Sequence, residues 1–124
     1  MIRLGTIVLG AEDVNRAVAF WQAATGYDVV PFPDSPNQFT ILRPPSGEGT
    51  RLAVQRSGTP AQIAPRVHLD FVVDTAAEQE AEIARLCSLG ATRAPWDYEE
   101  DADFVVLADP ENNRFCIVNA APRP

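Results

Sequence analysis

The candidate chemistry of this chain begins with its single histidine. His68 is followed two positions later by Asp70, within an apolar and β-branched stretch from Val67 to Val73. Residues i and i+2 of a strand project from the same face of a sheet, so the imidazole and the carboxylate are predicted to lie side by side. A neutral imidazole there can hydrogen-bond a ligand or act as a general base. The alternative is that His68 is a core polar residue with satisfied hydrogen bonds.

The two cysteines, Cys87 and Cys116, form no CxxC motif. Neither a disulfide framework nor a zinc ribbon is therefore indicated, and the cytoplasm is the expected compartment. Cys87 falls on the apolar face of a predicted helix and is assigned to the core. Cys116 is a candidate reactive thiol, but Arg114 is its one basic neighbour on the same strand face, which gives little reason for a lowered pKa.

Composition and motifs argue against several classes of function. The 124 residues carry a net charge of −7, which opposes nucleic-acid binding and weakly favours cationic small molecules. No segment approaches the roughly 20 apolar residues that cross a bilayer, and the N-terminus has no secretion signal, so no membrane partner is expected. Without a GxSxG motif, a glycine-rich phosphate loop or a second histidine, nucleophilic hydrolysis and nucleotide binding lack support.

The first half of the chain is predicted to form a strand, a helix and three more strands. The helix is capped by Glu12 or Asp13, runs to about Ala24 and ends at Gly26. Its apolar face has a 3.6-residue period and comprises Val14, Ala17, Val18, Trp21 and Ala24. The predicted strands are Ile2 to Leu9, Tyr27 to Phe32, Phe39 to Arg43 and Thr50 to Arg56, with turns at Pro33–Asn37 and Pro44–Gly49.

The second half repeats this plan. After the strand from Val67 to Val73, Thr75 and Glu78 match a capping box at a helix start, and Gly90 ends that helix. Three strands follow at Ala91 to Trp96, Asp103 to Ala108 and Arg114 to Asn119, the last two joined by Asp109–Asn113. We therefore predict an α+β fold of two βαβββ modules, residues 1–56 and 66–120, with residues 57–65 as a linker. The modules pair either within the chain or across a dimer.

The order of four segments resembles the vicinal-oxygen-chelate superfamily, in its glyoxalase/bleomycin-resistance/dioxygenase branch. The resemblance implies a glyoxalase-like domain whose curved mixed sheets surround a cavity. Asn112 stands in the last turn where such proteins commonly have glycine, a tolerable change because Asn enters left-handed conformations readily. The four segments are Thr6–Leu9, Ala19–Tyr27, Val67–Asp74 and Asp109–Cys116.

The resemblance also implies where metal ligands would lie. Metal enzymes of the superfamily carry them at positions that correspond to Thr6, Gln55, His68 and Cys116. Thr6 and Gln55 are poor ligands, and an oxygenase-type or catalytic zinc site requires three strong ones. We therefore expect no metal and no cofactor, a divalent metal being disfavoured.

The same resemblance places a set of side chains on the cavity wall as candidate ligand-binding residues. Trp21 and Trp96 are candidates for an aromatic wall, although Trp21 also fits plain core packing and Trp96 either a loop rim or a cap on the core. The acidic run 97–103 either steers cationic ligands or is an ordinary solvated loop. The full set is Thr6, Trp21, Gln55, His68, Asp70, Trp96 and Cys116.

Three functions remain open at this point. The first is a homodimeric, metal-independent protein that binds a small organic molecule, as bleomycin-resistance members of the superfamily do. The second is a lyase, isomerase or dioxygenase with an atypical metal site or with His68 as a catalytic general base. The third is an interaction domain with a vestigial cavity, because one fold hosts many functions.

Overall fold

The computed structural model describes residues 1–30 and 37–121. The chain divides into two compact units, Met1–Pro60 and Ala61–Pro124. Each unit contains one helix and a four-stranded mixed sheet. The predicted α+β fold with two βαβββ modules is confirmed.

The first unit follows the predicted order of elements. Its sheet has the order β1-β4-β3-β2, with β1 parallel to β4 and the other neighbours antiparallel. The elements are β1 (Thr6–Ala11), α1 (Val14–Thr25), β2 (Asp28–Val30), β3 (Phe39–Arg43) and β4 (Arg51–Arg56).

The first strand is shifted relative to its prediction, because β1 begins at Thr6 rather than Ile2. The ladder with β4 starts at the pair Thr6 and Arg51, so the residues before Thr6 have no partner strand within the described ranges, although Ile2 and Leu4 are apolar. The strand predicted to reach Phe32 ends at Val30 among the described residues. Phe32 and the turn residues 33–36 lie outside the described part of the chain.

The caps predicted for α1 are present at both ends. The Asp13 carboxylate accepts a hydrogen bond from the Arg16 amide at 3.1 Å, and Gly26 adopts a left-handed conformation with φ of 73°. Between the caps, Val14 and Ala17 are buried against Ala11 and Val54. The apolar stripe of α1 therefore forms the core of the first unit with its sheet.

The second unit repeats the arrangement with a sheet of order β5-β8-β7-β6, in which β5 and β8 are parallel. No helix among the described residues is long and apolar enough to span a membrane. The elements are β5 (Leu69–Val73), α2 (Ala76–Ser88), β6 (Thr92–Arg93), β7 (Phe104–Ala108) and β8 (Arg114–Asn119).

The start of α2 is capped as predicted, with one difference of detail. The Thr75 hydroxyl accepts a hydrogen bond from the Glu78 amide at 3.1 Å. The Glu78 carboxylate, however, accepts from the amide of Asp74 at 3.2 Å, one residue before the position that a capping box uses. Both interactions satisfy donors at the helix entrance and fix the turn from β5 into α2.

The strand predicted from Ala91 to Trp96 is reduced to Thr92–Arg93. The Ala94 amide still donates to the Val106 carbonyl at 3.1 Å, but Pro95 has no N–H with which to continue the ladder. The Val106 amide donates instead to the Tyr98 hydroxyl at 2.7 Å. A hydrogen bond to the Tyr98 side chain thus replaces the last backbone hydrogen bonds of the predicted strand.

Candidate functional site

The candidate site lies on the face of the second sheet that is turned away from α2. Along β8, Phe115 and Ile117 are buried on one face, while Arg114, Cys116 and Val118 alternate with them on the other. The helix is tied to the sheet by Gln79, whose side-chain amide donates to the Ile117 carbonyl at 2.9 Å. This leaves the opposite face uncovered by the helix of its own module.

A cavity of about 490 Å³ opens on this face. Its volume falls within the roughly 300–1,000 Å³ of small-molecule sites, which are mostly apolar with a few polar groups. The middle of its floor is a row across three strands, in which Cys116 of β8 pairs with Asp70 of β5 and with Val106 of β7. The lining residues are Pro65, His68, Asp70, Trp96, Asp103, Phe104, Val106, Arg114, Cys116 and Val118.

Four of the predicted site residues line this cavity, and three of them, His68, Asp70 and Cys116, lie close to one another. His68 Nε2 lies 3.1 Å from Asp70 Oδ1, and ligand atoms of His68, Asp70 and Cys116 all lie within 4.8 Å of one another. His68 itself immediately precedes β5 rather than lying within it. The pairing of imidazole and carboxylate expected from their i, i+2 spacing is nevertheless present.

Cys116 is protonated in this environment. Burial of the thiol, the negative charge of Asp70 and the hydrogen bond to Asp70 together raise the pKa of Cys116 from 9.0 to about 11. Cys116 as a residue is 6% exposed. Since the thiolate is the nucleophile, Cys116 at neutral pH is a polar, weakly hydrogen-bonding part of the floor rather than a reactive group.

The loop between β6 and β7 brings an aromatic side chain to the cavity. Trp96 is 42% exposed and belongs to the lining. The hydrogen bond from the Val106 amide to Tyr98 and the contact between the rings of Tyr98 and Phe104, with centroids 5.5 Å apart, hold this loop on β7. An exposed indole on a tethered loop matches the rim position that was one of the two alternatives for Trp96.

Arg114 is the lining residue whose importance sequence reasoning missed. Its Nη1 donates to the Asn112 carbonyl at 3.0 Å and to Asn112 Oδ1 at 2.6 Å. Asn112 has a positive φ of 71°, a conformation that suits glycine or asparagine. The asparagine side chain at this position also accepts the hydrogen bond that holds the guanidinium. The i, i+2 relation to Cys116 was visible in the sequence, but Arg114 was weighed there only as a neighbour of the thiol. Asp103 and Phe104 were likewise not selected.

The remaining predicted residues belong to the first unit. Trp21 is 1% exposed, with its ring edge-on to Phe20 at a centroid distance of 5.0 Å, as the core-packing alternative describes. Thr6 pairs with Arg51, whereas Gln55 pairs with Gly10. Four rungs at about 3.3 Å each put Thr6 and Gln55 roughly 13 Å apart along the sheet, too far to share one ligand atom.

His68, Asp70 and Cys116 offer donor atoms of types that bind metal ions. Imidazole nitrogen, carboxylate oxygen and thiolate sulfur are the three ligand types of zinc, and a catalytic zinc keeps a further position open. Asp70 supplies the carboxylate that is missing from the four positions implied by resemblance. Donor atoms within 4.8 Å of one another need only small side-chain rotations to reach zinc distances of about 2.0–2.3 Å.

Comparison with known proteins agrees with this architecture. Residues 6–118 match the family model described as a glyoxalase-like domain. A search of curated protein sequences finds no significant relative.

Solved structures share the fold at low sequence identity. A possible glyoxalase from Bacillus cereus is 16% identical, with a TM-score of 0.72 over 95% of this chain and 99% of that one. A glyoxalase/bleomycin resistance protein/dioxygenase family enzyme from Burkholderia phytofirmans is 20% identical, with a TM-score of 0.72 over 95% and 98%.

The fosfomycin resistance protein FosX from Listeria monocytogenes is 19% identical, with a TM-score of 0.73 over 95% of this chain and 91% of that one. A variant of that FosX has been solved with manganese(II) and 1S,2S-dihydroxypropylphosphonic acid. These structures share the fold, and the match over residues 6–118 shows that the chain belongs to the glyoxalase-like domain family.

Proposed function

We propose that this protein binds a small organic molecule in the cavity of its second unit, without needing a metal ion to hold it. The observation that carries the proposal is the cavity of about 490 Å³ on the sheet face opposite α2. A concave, largely apolar site with a few converging polar groups is the usual form of a ligand pocket.

The apolar lining supplies the main driving force for binding. Trp96 and Phe104 offer ring surfaces, and Val106 and Val118 form an aliphatic floor. A ligand that covers this surface removes it from water, which contributes roughly 25 cal/mol per Å² of apolar area. The exposed indole of Trp96 supports such a role because it can pack on an incoming ligand.

The polar groups favour holding a ligand over attacking it. The raised pKa of Cys116 keeps its thiol protonated at neutral pH, so covalent catalysis through sulfur is disfavoured. His68 and Asp70 are mutually hydrogen-bonded. In the neutral imidazole, an Nε2–H that donates to Asp70 leaves Nδ1 as an acceptor for a ligand hydroxyl or amide.

The direct test is thermal unfolding of chelator-treated protein against a panel of natural products and antibiotics. A ligand that binds only the folded state raises the midpoint in a concentration-dependent way. The proposal predicts at least one such ligand, and an unchanged midpoint across the panel contradicts it.

A matched pair of variants locates the binding. Val118→Phe fills the cavity and should abolish the shift, whereas Val67→Phe adds the same volume at a residue that is 83% exposed and outside the lining. Equal loss of binding in both variants, or in neither, argues against this cavity as the site.

The cluster of His68, Asp70 and Cys116 favours a second candidate, a metal-dependent lyase, isomerase or dioxygenase. FosX is a structural neighbour, and one of its variants was solved with manganese(II). When bound, a metal ion would act as a Lewis acid on a substrate oxygen. His68 and Asp70 would hold it through nitrogen and oxygen, and Cys116 would have to release its proton to join them.

Calorimetric titration of chelator-treated protein with zinc, cobalt(II), nickel, manganese and iron(II) separates the two candidates. Stoichiometric binding that is lost in Asp70→Asn, together with a thiolate-to-cobalt charge-transfer band that is lost in Cys116→Ser, establishes the metal site. Glu82→Gln, at an exposed carboxylate that pairs with Arg85 on α2, should bind metal like the original protein. Absence of metal binding favours the metal-independent role.

A further inference from the structure

We infer that the ligand of this cavity is amphipathic, with a carboxylate bound by Arg114 and an aromatic body lying over Val118 and Phe104. The inference rests on the proposed binding function and adds a ligand class to it. It follows from the hydrogen bonds of Arg114, from the order of side chains along β8, and from the hydrogen bonds that Asp70 already accepts.

The guanidinium of Arg114 is held in place but not neutralised. Asn112 accepts both hydrogen bonds from Nη1. Within residues 1–30 and 37–121, no carboxylate lies within 4.0 Å of this guanidinium. A fixed cation at the wall of a partly apolar cavity attracts an anion more strongly than one in open water.

The other edge of the guanidinium has unused donors. Over the same described ranges, Nε is a buried side-chain nitrogen without a hydrogen-bond partner. Nη2 has no partner among those residues either, but it is not fully enclosed. A carboxylate that reaches Nη2 and turns the guanidinium slightly would also satisfy Nε, because the fork of an arginine matches the two oxygens of a carboxylate.

The side chains along β8 change from polar to apolar. Arg114, Cys116 and Val118 follow one another on the cavity face, and Phe104 pairs with Val118 across the ladder with β7. Arg114 and Val118 are four residues apart, or roughly 13 Å. An anionic group at one end and one or two aromatic rings at the other match this length and this polarity.

The two acids of the lining do not cancel this arrangement. Asp103 immediately precedes Phe104 and so lies toward the end of the cavity away from Arg114. Asp70 already accepts hydrogen bonds from His68 and from the Cys116 thiol. His68 comes one residue before the pair of Leu69 and Phe115, so it is the neighbour of Arg114 across the parallel ladder. A carboxylate on Arg114 would therefore lie near the imidazole, at the end of the cavity away from Phe104.

The test uses three molecules that share one aromatic body: indole-3-acetate, indole-3-acetamide and tryptamine. Calorimetry on chelator-treated protein should show indole-3-acetate binding most tightly. Arg114→Gln should weaken that binding at least about tenfold, the loss expected for a charge-assisted bidentate contact, and should leave indole-3-acetamide nearly unchanged. Arg114→Lys should recover only part of the affinity because it keeps the charge without the fork.

Arg93→Gln is the matched control, since it removes the same charge from an exposed residue of the same sheet outside the lining. It should bind indole-3-acetate like the original protein. If the amide or the amine binds as tightly as the carboxylate, or if Arg114→Gln has no effect, the inference is wrong while the cavity remains a binding site. If none of the three binds and no compound of the wider panel raises the unfolding midpoint, both the inference and the proposed function fail.

Discussion

The Cys116 thiol should make the stability of this protein sensitive to alkaline pH. Burial is the largest cause of its raised pKa, followed by the charge of Asp70 and the hydrogen bond to Asp70. In the unfolded chain these influences disappear and the pKa returns to about 9.0. Above that pH the unfolded state loses a proton that the folded state keeps, so the free energy of unfolding falls as pH rises.

The size of the effect follows from the two pKa values. A difference from 9.0 to about 11 corresponds to at most about 2.7 kcal/mol, reached only above the folded pKa, since each unit is worth about 1.36 kcal/mol. At pH 10 the loss relative to pH 8 is about 1.3 kcal/mol. The sequence contains no lysine, so fewer groups titrate between pH 8 and pH 11 than in most proteins.

Urea unfolding at pH 8, 9 and 10 tests this expectation in the original protein and in Cys116→Ala. Cys116→Ala is expected to be less stable at pH 8, because it loses buried packing, but its stability should fall less steeply toward pH 10. Cys87→Ala is the matched control, because it removes a thiol from α2 outside the cavity. Parallel pH curves for the original protein and Cys116→Ala would refute the reasoning.

Three further outcomes are expected from the same contacts. Asp70→Asn should lower the pKa of Cys116, because it removes the negative charge that opposes ionisation, and alkylation of this thiol at pH 9 should become several-fold faster. Tyr98→Phe should cost about 1 kcal/mol in urea unfolding, because the Val106 amide loses its acceptor. Asp109→Ala should cost about 2 kcal/mol, because this buried carboxylate accepts two backbone amides of its turn.

Each of these outcomes has a clear contrary result. An unchanged alkylation rate in Asp70→Asn would mean that burial alone governs the thiol. Full stability of Tyr98→Phe would mean that water replaces the hydroxyl, and full stability of Asp109→Ala would show that the turn forms without its carboxylate. A Glu48→Ala variant, in an exposed turn of the first unit, provides the baseline for surface substitutions.

Local signals in the sequence were sufficient for most of the secondary structure. Asp13 and Thr75 mark the helix starts because their side chains accept hydrogen bonds from free amides in the first turn. The strand boundaries depend on a partner as well as on propensity. Ile2 is suitable for a strand but has no partner strand in the described part of the chain, and Pro95 ends β6 although apolar residues surround it.

The candidate site was only partly predictable for the same reason. The contact of His68 with Asp70 follows from strand alternation within one segment. The inclusion of Phe104 and Asp103 in the cavity depends on the ladder between β7 and β8, which a linear pattern does not specify. Arg114 was overlooked because its significance lies in having no carboxylate partner among residues 1–30 and 37–121, and that is a property of the folded environment.

The hydrogen bonds between Asn112 and Arg114 link the residue type in the last turn to the position of the guanidinium. A glycine at position 112 would suit the positive φ of this turn, but it has no side-chain oxygen to offer Arg114 Nη1. Losing that oxygen would loosen the guanidinium, and losing the arginine would leave the asparagine with no advantage over glycine. Asn112→Gly should therefore keep the turn and the hydrogen bond from Arg114 Nη1 to the carbonyl of residue 112, and lose only the hydrogen bond to Oδ1.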